Sequence, residues 1–173
     1  EDVVIAIAFC GVCHSDIHTA RGEWGETYYP CVPGHEIVGT VIATGKKVKR
    51  FKIGDLAGVG CYVDSCGKCA SCKSHEEQFC EKGAAFTYNS TEMDGETPTF
   101  GGYSSHITVR DKYALKIKKN QPLDRVETIE QSAEGPRIDF YQCSREPCEK
   151  GKLAVLFEVA GAHAPAEPGL IER

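Results

Sequence analysis

Four cysteines in the run Cys66-Gly67-Lys68-Cys69-Ala70-Ser71-Cys72, closed after seven residues by Cys80, constrain this chain more than any other feature. Zinc takes four tetrahedral ligands, and thiolates satisfy it at about 2.3 Å. Two-residue gaps let a loop fold back so that three sulfurs point inward, and Gly67 eases the turn. Four thiolates leave no open coordination position, so such a site holds a loop rather than reacting. An iron–sulfur centre is a second account of the cluster, and unmetallated or disulfide-linked cysteines a third. Ten cysteines in 173 residues would, in a secreted protein, suggest a disulfide framework. The tight spacing and the acidic start Glu1-Asp2-Val3, unlike a signal peptide, favour metal.

Composition removes other classes. With 41% hydrophobic and 26% charged residues the chain reads as an ordinary soluble globular protein. Its net charge of −5, with Lys and Arg scattered among acids, gives no nucleic-acid footprint. The one basic cluster, Lys46-Lys47-Val48-Lys49-Arg50, reads as a solvated turn. No apolar run approaches the roughly 20 residues of a membrane-spanning helix, so no membrane partner is expected. Lacking a signal, the chain is expected in the cytoplasm. It has no initiating Met and enters a strand-like run at once, which suggests a piece of something longer.

Residues 3–9 alternate large and small apolar groups, as a buried strand does. Residues 35–44 and 56–63 are strand-like too, and after Gly101-Gly102 so are 103–109 and 113–117. Several short strands with glycine-rich turns predict a mainly β domain, a small barrel or sandwich, with a short helix over 13–21. The character changes near residue 125: 126–173 are charged and aperiodic, apart from a possible strand within 153–162 and a Pro-rich end.

A second constellation joins Cys13-His14-Ser15-Asp16-Ile17-His18 to Gly34-His35-Glu36. Fewer protein ligands and one open position are what a catalytic zinc requires. Each piece alone is weak; together, beside a four-cysteine loop, they say much more. The run Cys10-Gly-Val-Cys13-His14-Ser15-Asp16, then Tyr29-Pro30, Val32-Pro33-Gly34-His35-Glu36-Ile37-Val38-Gly39 and Phe51-Lys-Ile-Gly54-Asp55, resembles the zinc-dependent medium-chain alcohol dehydrogenases. So do the cysteine loop, Thr87-Tyr88-Asn89 and Gly101-Gly102-Tyr103. Gly60-Cys61-Tyr-Val-Asp-Ser-Cys66-Gly resembles the cinnamyl-alcohol dehydrogenase subgroup. The resemblance covers about residues 1–125, in order.

That resemblance implies a GroES-like β-barrel with short helices and a zinc-stapled loop over 1–125, N-terminally truncated, followed by a divergent tail over 126–173. It implies an oxidoreductase moving hydride between an alcohol or aldehyde and NADP(H), with one structural and one catalytic zinc, and a homo-oligomer as one possible assembly. Cys66, Cys69, Cys72 and Cys80 take the structural zinc; Cys13, His35 and Glu36 resemble the catalytic ligands. Asp16 resembles the carboxylate that orients the site. Ser15 and His18 resemble the relay carrying the alcohol proton to solvent, with Glu36 also placed in the catalytic set. His14 is placed beside the cofactor phosphate, and Trp24 in the substrate pocket or in the core.

The pattern departs from the family in two places. On an ungapped comparison Gln131 stands where the family's remaining zinc cysteine belongs, with Cys143 and Cys148 as other candidates. A dinucleotide fold needs G-x-G-x-x-G at a strand-to-helix turn; Leu153–Val159 with Ala160-Gly161-Ala162-His163 keeps one glycine, so no complete Rossmann domain is expected. Three readings follow: part of a working dehydrogenase, a catalytically silent zinc-binding domain, or a redox sensor using Cys10, Cys31, Cys61 or Cys143.

Overall fold

The apolar alternation of residues 3–9 forms strand β1 (Asp2–Gly11), with Val3, Ile5 and Ile7 buried on one face. The computed structural model describes residues 1–119, Leu123 and the pair Phe157–Glu158. A register shift between Ile7 and Phe9 adds Ala8 to β1 and turns Cys10 into the core in place of its odd-numbered neighbours. Helix α1 (His14–Ala20) follows, inside the expected 13–21. The next two strands are β2 (Glu36–Thr44) and β3 (Leu56–Val59).

The run expected as one strand over 56–63 is broken at Gly60–Cys61, and its second part, β4 (Tyr62–Asp64), pairs with β5 (Ala85–Phe86) in a separate two-stranded sheet. Between them lie α2 (Ala70–Lys73) and a 3-10 turn, Glu77–Phe79. Strand β6 (His106–Arg110), a 3-10 turn at Asp111–Tyr113 and β7 (Ala114–Ile117) complete the domain. The strand expected over 103–109 starts only at His106, because Gly101, Gly102 and Tyr103 bond instead to Val32, Gly34 and Pro33. A last short strand, β8 (Phe157–Glu158), lies antiparallel to Phe9–Cys10 of β1 and falls within the expected 153–162. The other residues of the 126–173 tail, with Gln131, Cys143 and Cys148, lie outside the described residues.

The main sheet runs β6-β1-β2-β3-β7, all antiparallel. Its inner face supplies Val3, Ile5, Ile37, Val41 and Val59, each fully buried, and each such side chain contributes about 1.5–3 kcal/mol on burial. Strands β6 and β7 are the two outer strands, yet only Asp111–Tyr113 separates them. Four residue steps span at most about 14 Å, whereas the outer strands of a flat five-stranded sheet stand about 19 Å apart. The sheet therefore curls sharply at this corner. Arg110 holds the corner, pairing with Glu1 at 2.9 Å and Asp64 at 2.8 Å. The mainly β expectation holds, but no pairing joins β6 to β7 among the described residues, so the curl stops short of a closed barrel.

Candidate metal centres

The first centre is built by a loop that has almost no regular structure of its own. The sulfurs of Cys66, Cys69, Cys72 and Cys80 all lie within 4.8 Å of one another. Gly67 takes a φ of 63°, the left-handed turn that brings Cys69 back toward Cys66. Backbone N–H groups of Lys68 and Cys69 each lie 3.4 Å from Cys66 Sγ, and Cys72 N–H lies 3.4 Å from Cys69 Sγ. Those donors stabilise thiolate, so the Lys68 and Cys69 amides bring Cys66 from 9.0 down to about 6. Burial acts the other way on Cys72 and pushes it up to about 11. Tyr113 Oη donates to Ser65 Oγ at 2.6 Å, and Ser65 Oγ lies 3.2 Å from Cys72 Sγ. The corner turn thus braces the loop from behind, helped by an ion pair between Lys112 and Glu77.

The second centre sits where the β1–β2 ladder ends, at Gly11 opposite Glu36. Past that point the chain leaves β1 for Cys13 and α1, and enters β2 from Gly34 and His35. Ligand atoms of Cys13, His35 and Glu36 lie within 4.8 Å of one another. The His35 ring stacks on Tyr88, centroids 5.6 Å apart and planes 1° from parallel. Hydrogen bonding to His35 holds the Cys13 thiol below its ordinary 9.0 against the effect of burial. Burial works against charge on His35, yet bonds to Cys13 and Cys61 raise it to about 10. Both shifts have one physical content: the Cys13 thiolate and the His35 imidazolium stabilise each other, and a cation bound there would have to displace the His35 proton.

Gly34 has a φ of 101°, and a Cβ there would lie 2.8 Å from Cys10 Sγ and 2.9 Å from the Tyr103 ring. Asp16, 4% exposed, accepts the Cys13 N–H at 2.8 Å and the Gly34 N–H at 2.9 Å. Ser15 Oγ is 3.4 Å from His35 Nε2. His18 Nδ1 meets Glu23 Oε2 at 2.5 Å, and its ring stacks on Trp24 at 4.7 Å. His14 begins α1, its ring 6.4 Å from that of His18. Trp24 is 68% exposed, which removes the core-packing alternative.

Sequence reasoning placed Cys61 among redox candidates and gave Tyr88 and Tyr103 no task. The structure brings the Cys61 thiol to His35, stacks Tyr88 on that ring, and points the Tyr103 hydroxyl at Asp16. All three lie inside runs that carry the family resemblance, which was the available signal.

The chain is similar to several known proteins. The NADP-dependent alcohol dehydrogenase C of Mycobacterium tuberculosis is 55% identical over 124 residues, 72% of this chain and 36% of that protein. Among solved structures, CAD from Helicobacter pylori complexed with NADP(H) is 52% identical with a TM-score of 0.69, over 73% of this chain and 36% of that one. A cinnamyl alcohol dehydrogenase from Sorghum bicolor is 41% identical with a TM-score of 0.68, over 71% of this chain and 35% of that one. The chain therefore spans little more than a third of the length of these relatives. The alcohol dehydrogenase GroES-like domain matches residues 1–119, and by that match this chain belongs to that family.

Proposed function

We propose that residues 1–125 form the zinc-binding catalytic part of an NADP(H)-dependent alcohol dehydrogenase that interconverts an alcohol and its aldehyde. The observation that carries this reading is the convergence of Cys13, His35 and Glu36 at the open end of the β1–β2 ladder, close to two polar relay candidates. One thiolate, one imidazole and one carboxylate form a donor set that suits zinc, and the four-sulfur loop suits a second, closed zinc site. Bound by Cys13, His35 and Glu36, zinc would supply Lewis acidity toward an alcohol or aldehyde oxygen.

The chain's own residues do the rest. Ser15 and His18 stand three apart on α1 and so share a face. Ser15 sits beside His35, and the Glu23 carboxylate orients the His18 ring toward solvent-accessible Trp24. A proton leaving the alcohol has a path from Ser15 Oγ to His18 and out. The nicotinamide cofactor carries the hydride chemistry, and the protein supplies position and charge. The relatives named for NADP and for complexes with it support that choice of cofactor.

Elemental analysis of the purified chain tests the reading. Two zinc ions per chain, falling to one in Cys13→Ser with the sheet intact by circular dichroism, is the expected result. Unaltered zinc in Cys13→Ser removes Cys13 from the ligand set. NADPH-dependent reduction of an aromatic aldehyde by the two-zinc domain, once it is joined to a nucleotide-binding domain of the same family, completes the case. Two zincs without reduction in that hybrid favour a silent metal-binding domain, for which the closed four-cysteine site already provides the chemistry.

A further inference from the structure

Cys13 and His35 come from different segments, and the ladder that aligns those segments stops at Gly11 and Glu36. Beyond it the two backbones need another tie if their side chains are to keep a fixed separation. The Asp16 carboxylate is that tie: Oδ2 accepts the Cys13 N–H and Oδ1 accepts the Gly34 N–H, one amide from each side. A single carboxylate with one bond per oxygen can still swing about its own Cβ–Cγ bond. Further contacts that stop it come from far along the chain, from the Tyr88 side chain and from the Tyr103 hydroxyl. Tyr103 Oη donates to Asp16 Oδ2 at 2.9 Å and lies 3.2 Å from the Gly11 carbonyl, the last residue of the ladder.

Tyr103 is itself fixed with unusual care. Gly101 N–H bonds Val32 O at 2.7 Å, Gly102 N–H bonds Gly34 O at 2.8 Å, and Tyr103 N–H bonds Pro33 O at 3.0 Å. A Cβ at Gly101 would strike the Pro33 and Gly34 carbonyls, and one at Gly102 would strike Ile37 and Cys10. The paired glycines are what allow this segment to lie against the approach to His35. Burial, then the Asp16 charge, hold the Tyr103 hydroxyl in its protonated form, the form that donates.

We infer that Tyr103 is a positioning residue of the Cys13–His35–Glu36 centre, setting the spacing of its two ligand-bearing segments through Asp16. The inference rests on the metal-centre reading above, and its test separates the two. Zinc affinity of each site is measured by chelator competition in the wild-type chain, Tyr103→Phe, Asp16→Asn and the double variant, with cobalt(II) absorption reporting the geometry of the Cys13 site. Tyr103→Phe removes one hydroxyl and leaves the ring, so the packing against Gly34 and Cys10 is kept.

The expected result is a loss of about 10–100-fold in affinity at the Cys13 site, the usual range when an outer partner of a metal ligand is removed. The cobalt spectrum of that site shifts, while the four-cysteine site and the melting temperature stay close to wild type. Because Tyr103 acts through Asp16, adding Tyr103→Phe to Asp16→Asn costs little further affinity. Unchanged affinity at the Cys13 site overturns the inference, as does full additivity in the double variant. A Tyr103→Phe chain that weakens both sites alike, or unfolds, assigns the hydroxyl to general folding and overturns it too. A wild-type chain that binds no ion at Cys13 overturns the metal-centre reading and this inference with it.

Discussion

At the scale of single residues, Gly34 shows how closely the backbone and the second centre depend on each other. Its φ of 101° lies where L side chains rarely go, and its missing side chain is the space that Cys10 Sγ and the Tyr103 ring occupy. Gly34→Ala is expected to cost about 1–3 kcal/mol from crowding alone, with backbone strain added, and to loosen the site before it unfolds the sheet. A chemical denaturation midpoint equal to wild type would refute the crowding. Cys13, His35 and Glu36 stand out in the sequence as metal-ligating residue types, and the family resemblance is what gives them, and Asp16, their expected roles. Tyr88 and Tyr103 do not stand out, since an aromatic residue far along the chain reads as core until the fold shows which ring it faces.

Elements differ in how far they were legible for the same reason. Strand β1 follows from apolar alternation and β2 from its Val, Ile and Gly content, both local signals. The break at Gly60–Cys61 and the late start of β6 do not, because each is decided by a partner distant in sequence: β5 for β4, and Val32–Gly34 for Gly101–Tyr103. The cysteine loop is the opposite case, with spacing that predicts its convergence and regular structure that contributes little. Between Cys66 and Cys80 it has one four-residue helix and one three-residue turn. A metal held by the four sulfurs would supply much of what orders it. Treatment with a strong chelator is expected to open this loop to proteases while far-ultraviolet circular dichroism of the sheet persists. Unchanged cleavage within 66–80 would rule out a structural metal there.

Over the whole molecule, charge pairs join segments that the sheet alone leaves apart. Lys116 Nζ on β7 meets Asp55 Oδ2 at 2.8 Å just before β3, and holds that carboxyl below its ordinary 3.8, helped by the Lys52 N–H. At the corner, hydrogen bonding to Arg110 does the same for Glu1, whose ordinary value is 4.5. A lowered folded-state pKa means stabilisation that is present above the ordinary value and lost as pH falls through the folded one. Half-buried Glu92, raised instead by burial, opposes them over the same range. Lys116→Met is expected to lower the melting temperature at neutral pH and to converge on wild type in acid. Melting curves of both chains from about pH 6 to about pH 3 measure this, and comparing them at each pH cancels metal loss common to both. A constant gap between the two would show that Lys116 contributes through its cation–π contact with the Phe51 ring rather than through the Asp55 ion pair.

The curl of the sheet also sets a timetable for synthesis. Strand β1 finds β2 early, but its other edge is completed by β6, where Asp2 faces Arg110. More than a hundred residues must emerge before that pairing can form, about 5–20 seconds at ordinary translation rates. For that interval the nascent chain presents an unpaired apolar edge containing Val3 and Ile5. In the cell, the yield of this domain depends on what shields that edge while the ribosome finishes the sheet.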